Sequence, residues 1–524
     1  MCAWRAAGGL PMCPLTRRAM CLSCPPSAWV ILMLEINFVL NKHFIFRVTL
    51  FLILSVGLLS YPLAGTGFAH GFAQQTGEDS PVYVVQEGDS LWSIAARFRV
   101  SLQDLIDANG IGNQNQLAVG DRLIIPGLSG ISGVLTTQPV SFGETLRSLS
   151  RSHRISIETL SRLNHLTSPA ELYAGTNLVL LEENAQATPT RRSLLAPGQS
   201  LFELGVSQGT SAWAYIAAND LGGAWSALPG DVLHLAQAST PETAVSVPGA
   251  LPEAIQAVTL SPEPLVQGKA AVIGIAGESG LKLGGSLNEH SLNFFPDTEG
   301  YVGLQGIHAM TEPGLYPLVI TGTLPVEAPY YGAPFAFSQA VLVNAGDYVF
   351  DPVLTVSPET IDPAVTKPED AQWAALTAPV TPEKLWNGSF QSPAPPPYSD
   401  CWPSQYGSRR SYNGSAYIYF HTGLDFCGGV GTEILAPAAG KVVFAGPLTV
   451  RGNSTVIDHG WGIYTAYLHQ SEILVEPGDL VTPGQIIGKV GGTGRVTGPH
   501  LHWEVWSGGV QVDPMDWLEQ SYPR

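Results

Sequence analysis

Residues 498–506 read GPHLHWEVW, and this short run says more about the architecture of the chain than any other. Leu501, Trp503 and Val505 alternate with their neighbours in the way typical of a β-strand whose one face is buried. His500 and His502 then project from the opposite face, about 7 Å apart along the strand. Two imidazoles placed like this can serve one metal ion, although the pair alone equally fits two exposed histidines on an edge strand.

Two patterns further upstream contain side chains of the same kind. In HTGLD, His421 and Asp425 are four residues apart, and Gly423 after a tyrosine-rich run favours a strand that enters a tight loop. His469 ends another strand-like run, YTAYLH. Each pattern is weak by itself. Together they supply two imidazoles and a carboxylate, the ligand set of a catalytic zinc site that keeps its fourth position open.

A site of this kind has a defined chemistry. Bound Zn²⁺ lowers the pKa of water towards ~7 and polarises a scissile carbonyl group. Hydrolysis also needs a base that accepts the proton of the water and a donor that stabilises the oxyanion. The last 104 residues contain five histidines, enough for ligands and for both assisting roles.

The pattern of residues 386–517 resembles that of the lysostaphin/LytM-type zinc metallopeptidases. The shared pattern includes H-x-x-x-D, Y-x-H and G-x-TG-x-x-TGPHLHWEV, together with APAAGKVV, HGWG and V-x-PGDLV-x-PGQ-x-IG-x-VG. The resemblance implies that His421, Asp425 and His502 bind one Zn²⁺ ion per catalytic domain. It also implies that His469 and His500 assist the water and the oxyanion. Substrates of this family are peptide bonds in bacterial cell-wall stems and crossbridges.

The same resemblance bears on four other residues. It gives His459, in DHGWG, a structural role. Some members of the family use a tyrosine to stabilise the oxyanion, and the sequence offers Tyr412, Tyr417 and Tyr419 without ranking them.

Two cysteines, Cys401 and Cys427, flank the first of these motifs with 25 residues between them. In an exported chain they are expected to form a disulfide that closes a loop around the ligand-bearing segment. The alternative, in which Cys427 ligates the metal, is weaker because His421, Asp425 and His502 already occupy three positions.

An internal repeat with a period of 55 residues occupies the N-terminal half. The first copy contains GDSLWSIAARF, and its pattern predicts strands at 83–85 and 122–125 around two helices, with Ser90 and Ser101 as N-caps. The unit is therefore β-α-α-β. Five columns recur in register: Gly88, Gly143 and Gly198; Leu91, Leu146 and Leu201; Asn109, Asn164 and Asn219; Gly120, Gly175 and Gly230; Leu123, Leu178 and Leu233.

This repeat resembles the LysM domain, which binds N-acetylglucosamine-containing glycans such as peptidoglycan or chitin. The boundaries are 81–127, 136–182 and 191–237. In the second copy Arg147 replaces Trp92, and the third copy lacks the Ile-Pro ending. Copies two and three are therefore either glycan-binding modules or spacers that kept the fold and lost the contacts.

The complete chain is expected to be a multidomain α+β protein. Short alternating runs separated by Gly, Pro and Asn predict a β-sandwich, immunoglobulin-like, at 258–356, where His290 and His308 are isolated. It would act as a positioning spacer. A Pro-rich linker is expected at 357–399, and an antiparallel β-sheet metallopeptidase domain at 385–524.

The N-terminus, 1–73, has the features of an extension followed by an export signal. Residues 48–59 are apolar after a basic flank, and small residues ending at Ala73 favour cleavage after that position. The alternative is an uncleaved membrane anchor through residues 44–65. The first residues do not belong to the signal, and Met20 or Met33 is the expected true start. An extracellular or envelope location follows from either interpretation.

Composition limits the possible functions. The 524 residues include 25 Lys and Arg against 43 Asp and Glu, a net charge of −18. This balance excludes a nucleic-acid binder, which needs a basic face. The low share of charged residues, 13%, with 57 glycines and 41 prolines, is typical of β-rich domains joined by loops.

These observations predict an exported zinc endopeptidase that hydrolyses peptide bonds of bacterial peptidoglycan and is targeted to the wall by LysM repeats. One alternative is a non-catalytic relative that only binds the wall, but such relatives typically lose metal ligands. Another is a biotinyl- or lipoyl-carrier hairpin in VEPGDLVTPGQIIGKVG, but a carrier needs a lysine at the exposed hairpin tip between the two halves, and none lies there.

Overall fold

The computed structural model describes residues 80–113, 117–128, 130–182, 190–236 and 249–523. The predicted N-terminal extension, signal peptide and anchor (1–73) lie outside these residues. Within the described ranges, none of the helices combines the length and the apolar character needed to cross a bilayer.

The first repeat is a β-α-α-β unit around a small apolar core that includes Tyr83 and Leu105. Its helices begin where the sequence predicts: Ser90 accepts a hydrogen bond from the N–H of Ser93, and Ser101 accepts one from Asp104. Both predicted N-caps are confirmed. The elements are β1 (Val82–Val84), α1 (Leu91–Arg97), α2 (Leu102–Asn109) and β2 (Arg122–Ile124).

The third repeat has the same order of elements, and the second repeat adds a two-residue strand, β4, before its last strand. Strands of the first two repeats join in one sheet of order β2-β1-β3-β5, whereas β6 and β7 of the third repeat form their own two-stranded sheet. The elements are β3 (Val134–Pro139), α3 (Leu146–His153), α4 (Ile157–Leu163), β4 (Tyr173–Ala174), β5 (Asn177–Glu182), β6 (Thr190–Leu194), α5 (Leu201–Ser207), α6 (Ala212–Ala218) and β7 (Val232–Ala236).

The asparagine column of the repeat has a structural explanation. The amide nitrogen of Asn109 donates to the carbonyl oxygens of Leu105 and Ile124, and its amide oxygen accepts from the N–H of Ile124. The side chain thus ties the second helix to the last strand. Asn164 and Asn219 make the corresponding three bonds in their own repeats.

Two sheets form the middle region, with a shared apolar core between them. One has the order β13-β14-β10-β8; the other has the order β12-β11-β15-β16-β4, with β9 paired to β16. The strands are β8 (Ile255–Ser261), β9 (Leu265–Val266), β10 (Ala270–Gly277), β11 (Lys282–Leu287), β12 (His290–Asn293), β13 (Phe295–Asp297), β14 (Gly300–Gly306), β15 (Gly314–Thr323) and β16 (Pro334–Asn344).

Strand β10 is buried on both faces, which explains its unbroken apolar sequence. Ala271 and Ile273 point into the core between the two sheets, whereas Ala270 and Val272 belong to the core of the C-terminal region. The ring of Phe295 stacks on that of Trp461 at 4.9 Å. The middle region and the C-terminal region therefore share one apolar interior.

The structure differs from the prediction of a Pro-rich linker at 357–399. Asp362 caps a 15-residue helix, α7 (Pro363–Thr377), by accepting from the N–H of Ala364, with Pro363 at the first helical position. Trp373 of this helix is fully buried against the C-terminal sheet, and its ring meets that of Phe444 edge to face. Proline and alanine content suggested a linker, but one buried tryptophan fixes the segment.

The C-terminal region is built on a sheet of order β19-β27-β23-β22-β21-β25, with β28 paired to β27. Smaller sheets, β20-β26-β24 and β17-β18, flank it. The elements are β17 (Arg409–Arg410), β18 (Tyr419–Phe420), β19 (Leu424–Phe426), β20 (Glu433–Leu435), β21 (Gly440–Leu448), β22 (Gly452–Gly460), β23 (Ile463–Gln470), β24 (Glu472–Ile473), β25 (Leu480–Val481), β26 (Ile486–Lys489), β27 (Leu501–Ser507), β28 (Val510–Val512) and α8 (Pro514–Glu519).

Candidate metal centre

Three side chains from two distant segments meet at one end of the large sheet. His421 follows β18, while Asp425 on β19 and His502 on β27 are directly opposed partners in an antiparallel pair. His421 Nε2 lies 2.9 Å from Asp425 Oδ1 and 3.0 Å from His502 Nδ1, and His502 Nδ1 lies 2.9 Å from the same Oδ1 atom. All three groups are buried, and their ligand atoms lie within 4.8 Å of one another.

Outer hydrogen bonds determine which imidazole nitrogen faces the cluster with a lone pair. A carbonyl oxygen can only accept, so the Nδ1 of His421 must carry the proton that it donates to Gln405, at 2.8 Å. Its Nε2 is then unprotonated in the neutral ring. On His502 the outward nitrogen is Nε2, which donates to the carboxylate of Glu504 at 3.3 Å. Nδ1 of His502 is thereby left to the cluster.

This donor set fits a cation. Two nitrogen lone pairs and a carboxylate oxygen repel one another at about 3 Å unless a proton or a metal ion lies among them. Two imidazoles and a carboxylate are ligands that Zn²⁺ takes in catalytic sites.

Burial and neighbouring groups together set the charge states of His421 and Asp425. Burial lowers the pKa of His421 to about 4, although the carboxylate of Asp425 opposes this shift, so the ring is neutral at pH 7. Burial alone would raise the pKa of Asp425, but the adjacent imidazoles of His421 and His502 hold it well below its usual range. The cluster therefore combines neutral His421 with an ionised carboxylate.

Two further imidazoles stand beside the cluster. The Nδ1–H of His469 donates to the carbonyl oxygen of Thr493 at 2.7 Å, and the Nδ1–H of His500 donates to that of Gly498 at 2.8 Å. Their rings are 5.2 Å apart, and Nε2 of His500 lies 3.5 Å from Oδ1 of Asp425. Burial, followed by the neighbouring histidines, lowers the pKa of His469 well below its usual value. It is therefore a neutral imidazole with an unprotonated Nε2.

Comparison with known families agrees with this geometry, since residues 419–514 match the model described as peptidase family M23. These residues are an M23 peptidase domain. Two segments of the N-terminal half, 83–126 and 140–180, match the LysM domain. The family of each predicted module is thus confirmed for the M23 domain and for the first two repeats.

Relatives of known name share the M23 domain. The chain is 42% identical over 112 residues to the peptidoglycan DD-endopeptidase ShyA of Vibrio cholerae, which covers 21% of this chain and 26% of that protein. It is 42% identical over 95 residues to the DD-carboxypeptidase/endopeptidase Mpg of Neisseria gonorrhoeae, 18% of this chain and 22% of that one. The chain thus spans about a quarter of the length of these relatives.

A solved structure is similar over a longer stretch. The putative peptidase M23 of Pseudomonas aeruginosa is 26% identical, covers 49% of this chain and 95% of its own, and has a TM-score of 0.38.

His459 and the two cysteines, which the sequence analysis also singled out, lie outside the cluster. His459 is fully buried and bonds the carbonyl oxygen of Ala439 through Nδ1 at 2.7 Å and the hydroxyl of Thr465 through Nε2 at 2.8 Å. Cys401 and Cys427 are joined by a disulfide, with Cα atoms 5.4 Å apart. This bond holds the segment before His421 against β19.

The three candidate tyrosines occupy different places. Tyr412 and Tyr419 line the cavity of about 770 Å³ into which the cluster opens, and their rings are 5.1 Å apart. The hydroxyl of Tyr417 instead donates to the carbonyl oxygen of Asp351 at 2.9 Å, and its ring packs on Phe350. Tyr417 is thus engaged with the cavity wall.

One wall of the cavity comes from a segment that the sequence analysis did not associate with the site. The chain at 349–356 runs parallel to the 409–412 segment and bonds with its backbone. Asp351 of this segment pairs with Nε of Arg410 at 3.0 Å, and the guanidinium of Arg410 reaches to 3.8 Å from Asp425 Oδ2. No local motif marks Arg410, because its partners are distant in the sequence.

Proposed function

We propose that this protein is an exported zinc endopeptidase that hydrolyses peptide bonds in bacterial peptidoglycan and reaches its substrate through LysM repeats. The observation that carries the proposal is the convergence of His421, Asp425 and His502 within 4.8 Å, with Asp425 and His502 lining a cavity. Names of the M23 relatives, which include peptidoglycan DD-endopeptidases, support the substrate class.

The two imidazoles and the carboxylate would hold one Zn²⁺ ion. Zinc in such a set acts as a Lewis acid and lowers the pKa of the water that attacks a carbonyl carbon. The protein holds the donors in advance: Gln405 fixes the ring of His421, and Arg410 stands behind Asp425. Little reorganisation is then needed when the ion binds.

His469 would act as the base for the attacking water, and His500 would stabilise the oxyanion. The unprotonated Nε2 of His469 can accept a proton from the attacking water. His500 is less buried than His469, and its Nε2 stands 3.5 Å from Asp425. Once protonated there, it can donate a hydrogen bond to the oxyanion of the tetrahedral intermediate. Tyr412 and Tyr419 line the same cavity, where an extended peptide would lie.

The LysM repeats would bind the N-acetylglucosamine-containing strands of peptidoglycan and so raise the local concentration of cleavable stems. Trp92 of the first repeat is 72% exposed, and Phe202, in the same column of the third repeat, is 56% exposed. Arg147 takes this place in the second repeat, which favours a spacer role there. The two-sheet region at 258–356, proposed to be an immunoglobulin-like sandwich, would hold the peptidase in position.

Cleavage of purified sacculi tests the proposal. Full-length protein is incubated with sacculi with and without a chelator, and new termini are identified by mass spectrometry. We expect chelator-sensitive peptide cleavage that zinc restores. His502→Ala should abolish it, while His290→Ala, a histidine of the middle region, should not. Binding to sacculi without cleavage would instead identify a wall-binding protein that lacks peptidase activity.

A further inference from the structure

Glu504 is a buried carboxylate that stands behind the candidate metal centre. It lies on β27 two residues after His502, and only 1% of it is exposed. Its Oε1 accepts hydrogen bonds from Thr422 Oγ1 at 2.7 Å, Gln511 Nε2 at 3.0 Å and His502 Nε2 at 3.3 Å. Its Oε2 accepts from the indole N–H groups of Trp506 at 2.8 Å and Trp373 at 3.2 Å.

These five donors keep the carboxylate charged. A buried anion costs several kcal/mol of solvation unless it is fully hydrogen-bonded. Four neutral donors besides His502 meet that requirement here.

The consequence for His502 concerns the position of its proton. An ionised carboxylate has no hydrogen to give, so Nε2 must be the donor and must carry the proton. Nδ1 is then the nitrogen with the lone pair, and Nδ1 is the atom that lies 3.0 Å from His421 and 2.9 Å from Asp425. A neutral amide in place of the carboxylate could accept or donate, and would leave both tautomers of the ring accessible.

We propose that Glu504 is a positioning residue that holds His502 in the tautomer and orientation needed for metal ligation, and that Trp373 of helix α7 is part of its support. The proposal rests on the proposed zinc site. Carboxylates that accept from metal-ligating histidines typically raise metal affinity by 10- to 100-fold.

Trp373 connects the site to a helix that lies outside the M23 domain. It is fully buried, and helix α7 precedes the residues that match the family. From the same helix, Glu369 accepts from the backbone N–H groups of Val450 and Arg451, and the carbonyl oxygen of Arg451 accepts from the N–H of His469. One helix thus supports a metal ligand and the candidate base from behind.

Zinc affinity is the measurement that separates positioning from plain stability. Full-length wild-type protein and Glu504→Gln are titrated with zinc against a chromophoric chelator of known affinity. In the variant, the amide oxygen can accept from the two indole N–H groups only if the amide NH₂ group faces Nε2 of His502. Two hydrogen-bond donors would then face each other, and the bond to His502 would be lost. We expect a 10- to 100-fold loss of zinc affinity and a fall in kcat at saturating zinc with KM within about twofold.

A matched control is Glu144→Gln, which changes a buried carboxylate of the second repeat that accepts from Ser148 and from the N–H of Gly249. It should lower thermal stability without changing zinc affinity. Equal zinc affinity in Glu504→Gln and wild type would overturn the inference. A wild-type protein that binds no zinc would instead overturn the proposed function.

Two further measurements decide the matter if Glu504→Gln does not fold. Trp373→Phe keeps an aromatic side chain, smaller than the indole, and removes the indole N–H donor to Glu504, so we expect a loss of zinc affinity of a few fold. In ¹H–¹⁵N spectra of the zinc-loaded wild type, Nε2 of His502 should carry a proton that exchanges slowly. A signal that places the proton on Nδ1, or unchanged affinity in Trp373→Phe, would contradict the assigned role.

Discussion

The M23 domain and the LysM repeats place their functional side chains in opposite ways. In the M23 domain His421, Asp425 and His502 are buried, and each contacts a group behind it through a hydrogen bond or an ion pair. In the first repeat the interior is apolar, and the large aromatic Trp92 stands in solvent. Hydrolysis needs donors that are desolvated and fixed before the substrate arrives, whereas a polymer can be held by exposed rings on a rigid support.

The largest expected effect comes from removal of a buried side chain that is proposed to bind the metal. His502→Ala leaves His421 and Asp425 without their third partner, so we expect loss of stoichiometric zinc and hydrolysis at the rate seen without protein. Metal analysis after gel filtration, together with sacculus cleavage, measures both. A variant that retains one zinc and full activity would contradict the shared site.

A smaller loss is expected when the candidate base is changed and the ligands are kept. His469→Gln should lower kcat by about 10²- to 10⁴-fold and change zinc affinity only a few fold, because the side chain stands beside the cluster. Single-turnover cleavage of a stem peptide and a zinc titration test this. Activity within threefold of wild type would exclude His469 as the base.

The third repeat differs from the first in having a buried histidine, His234, in its interior. The dependence of stability on pH tests the effect of this residue. Nε2 of His234 bonds the carbonyl oxygen of Gly249 at 2.8 Å, and burial lowers its pKa to about 4. The unfolded chain takes up this proton near pH 6.5, so the stabilisation is complete above that pH and is lost as pH falls towards 4.

We expect the free energy of unfolding to fall by about 2 kcal/mol between pH 7 and pH 5 from this group. Hydrogen exchange of residues 232–236 reports the local opening. The same experiment on His234→Gln, which cannot titrate, should show a weaker pH dependence. Identical pH dependence in both proteins would show that His234 does not control stability there.

The smallest effect is expected from changes to exposed side chains of the LysM repeats. Trp92→Ala should weaken binding to sacculi by about tenfold, or ~1.4 kcal/mol, and leave cleavage of a soluble stem peptide unchanged. Phe202→Ala tests the same column in the third repeat, and Arg147→Trp tests whether the second repeat gains affinity. Unchanged binding in Trp92→Ala would place the glycan contact elsewhere.

Local patterns identified the residues that meet at the candidate site, because each lies in a short run whose strand or turn character is visible in the sequence. The histidines at 500 and 502 and the strand that contains Trp503 are examples. The supporting residues were not predicted. Glu504 lies in an ordinary strand pattern and Trp373 lies in the segment expected to be a linker, and the bond between them joins positions 131 residues apart.

The repeat shows the same limit in another form. The period made the asparagine column evident, but its function in tying helix to strand depends on a backbone geometry that only the folded unit displays. The segment at 349–356, which lines the cavity, carried no signal at all, since its partners on the M23 domain are fixed by tertiary contact.

The interior shared by β10, β14 and the M23 sheet has a practical consequence for the expression of parts of this protein. At Gly306 on β14, an added Cβ atom would come within 2.9 Å of Val510 and of the carbonyl oxygen of Ser507. Phe295 covers Trp461 from the same side. A fragment that begins at the N-terminal limit of the family match would therefore expose this apolar surface to solvent. Such a fragment is expected to aggregate during purification. Recombinant fragments and chimaeras should therefore include the preceding two-sheet region, residues 258–356.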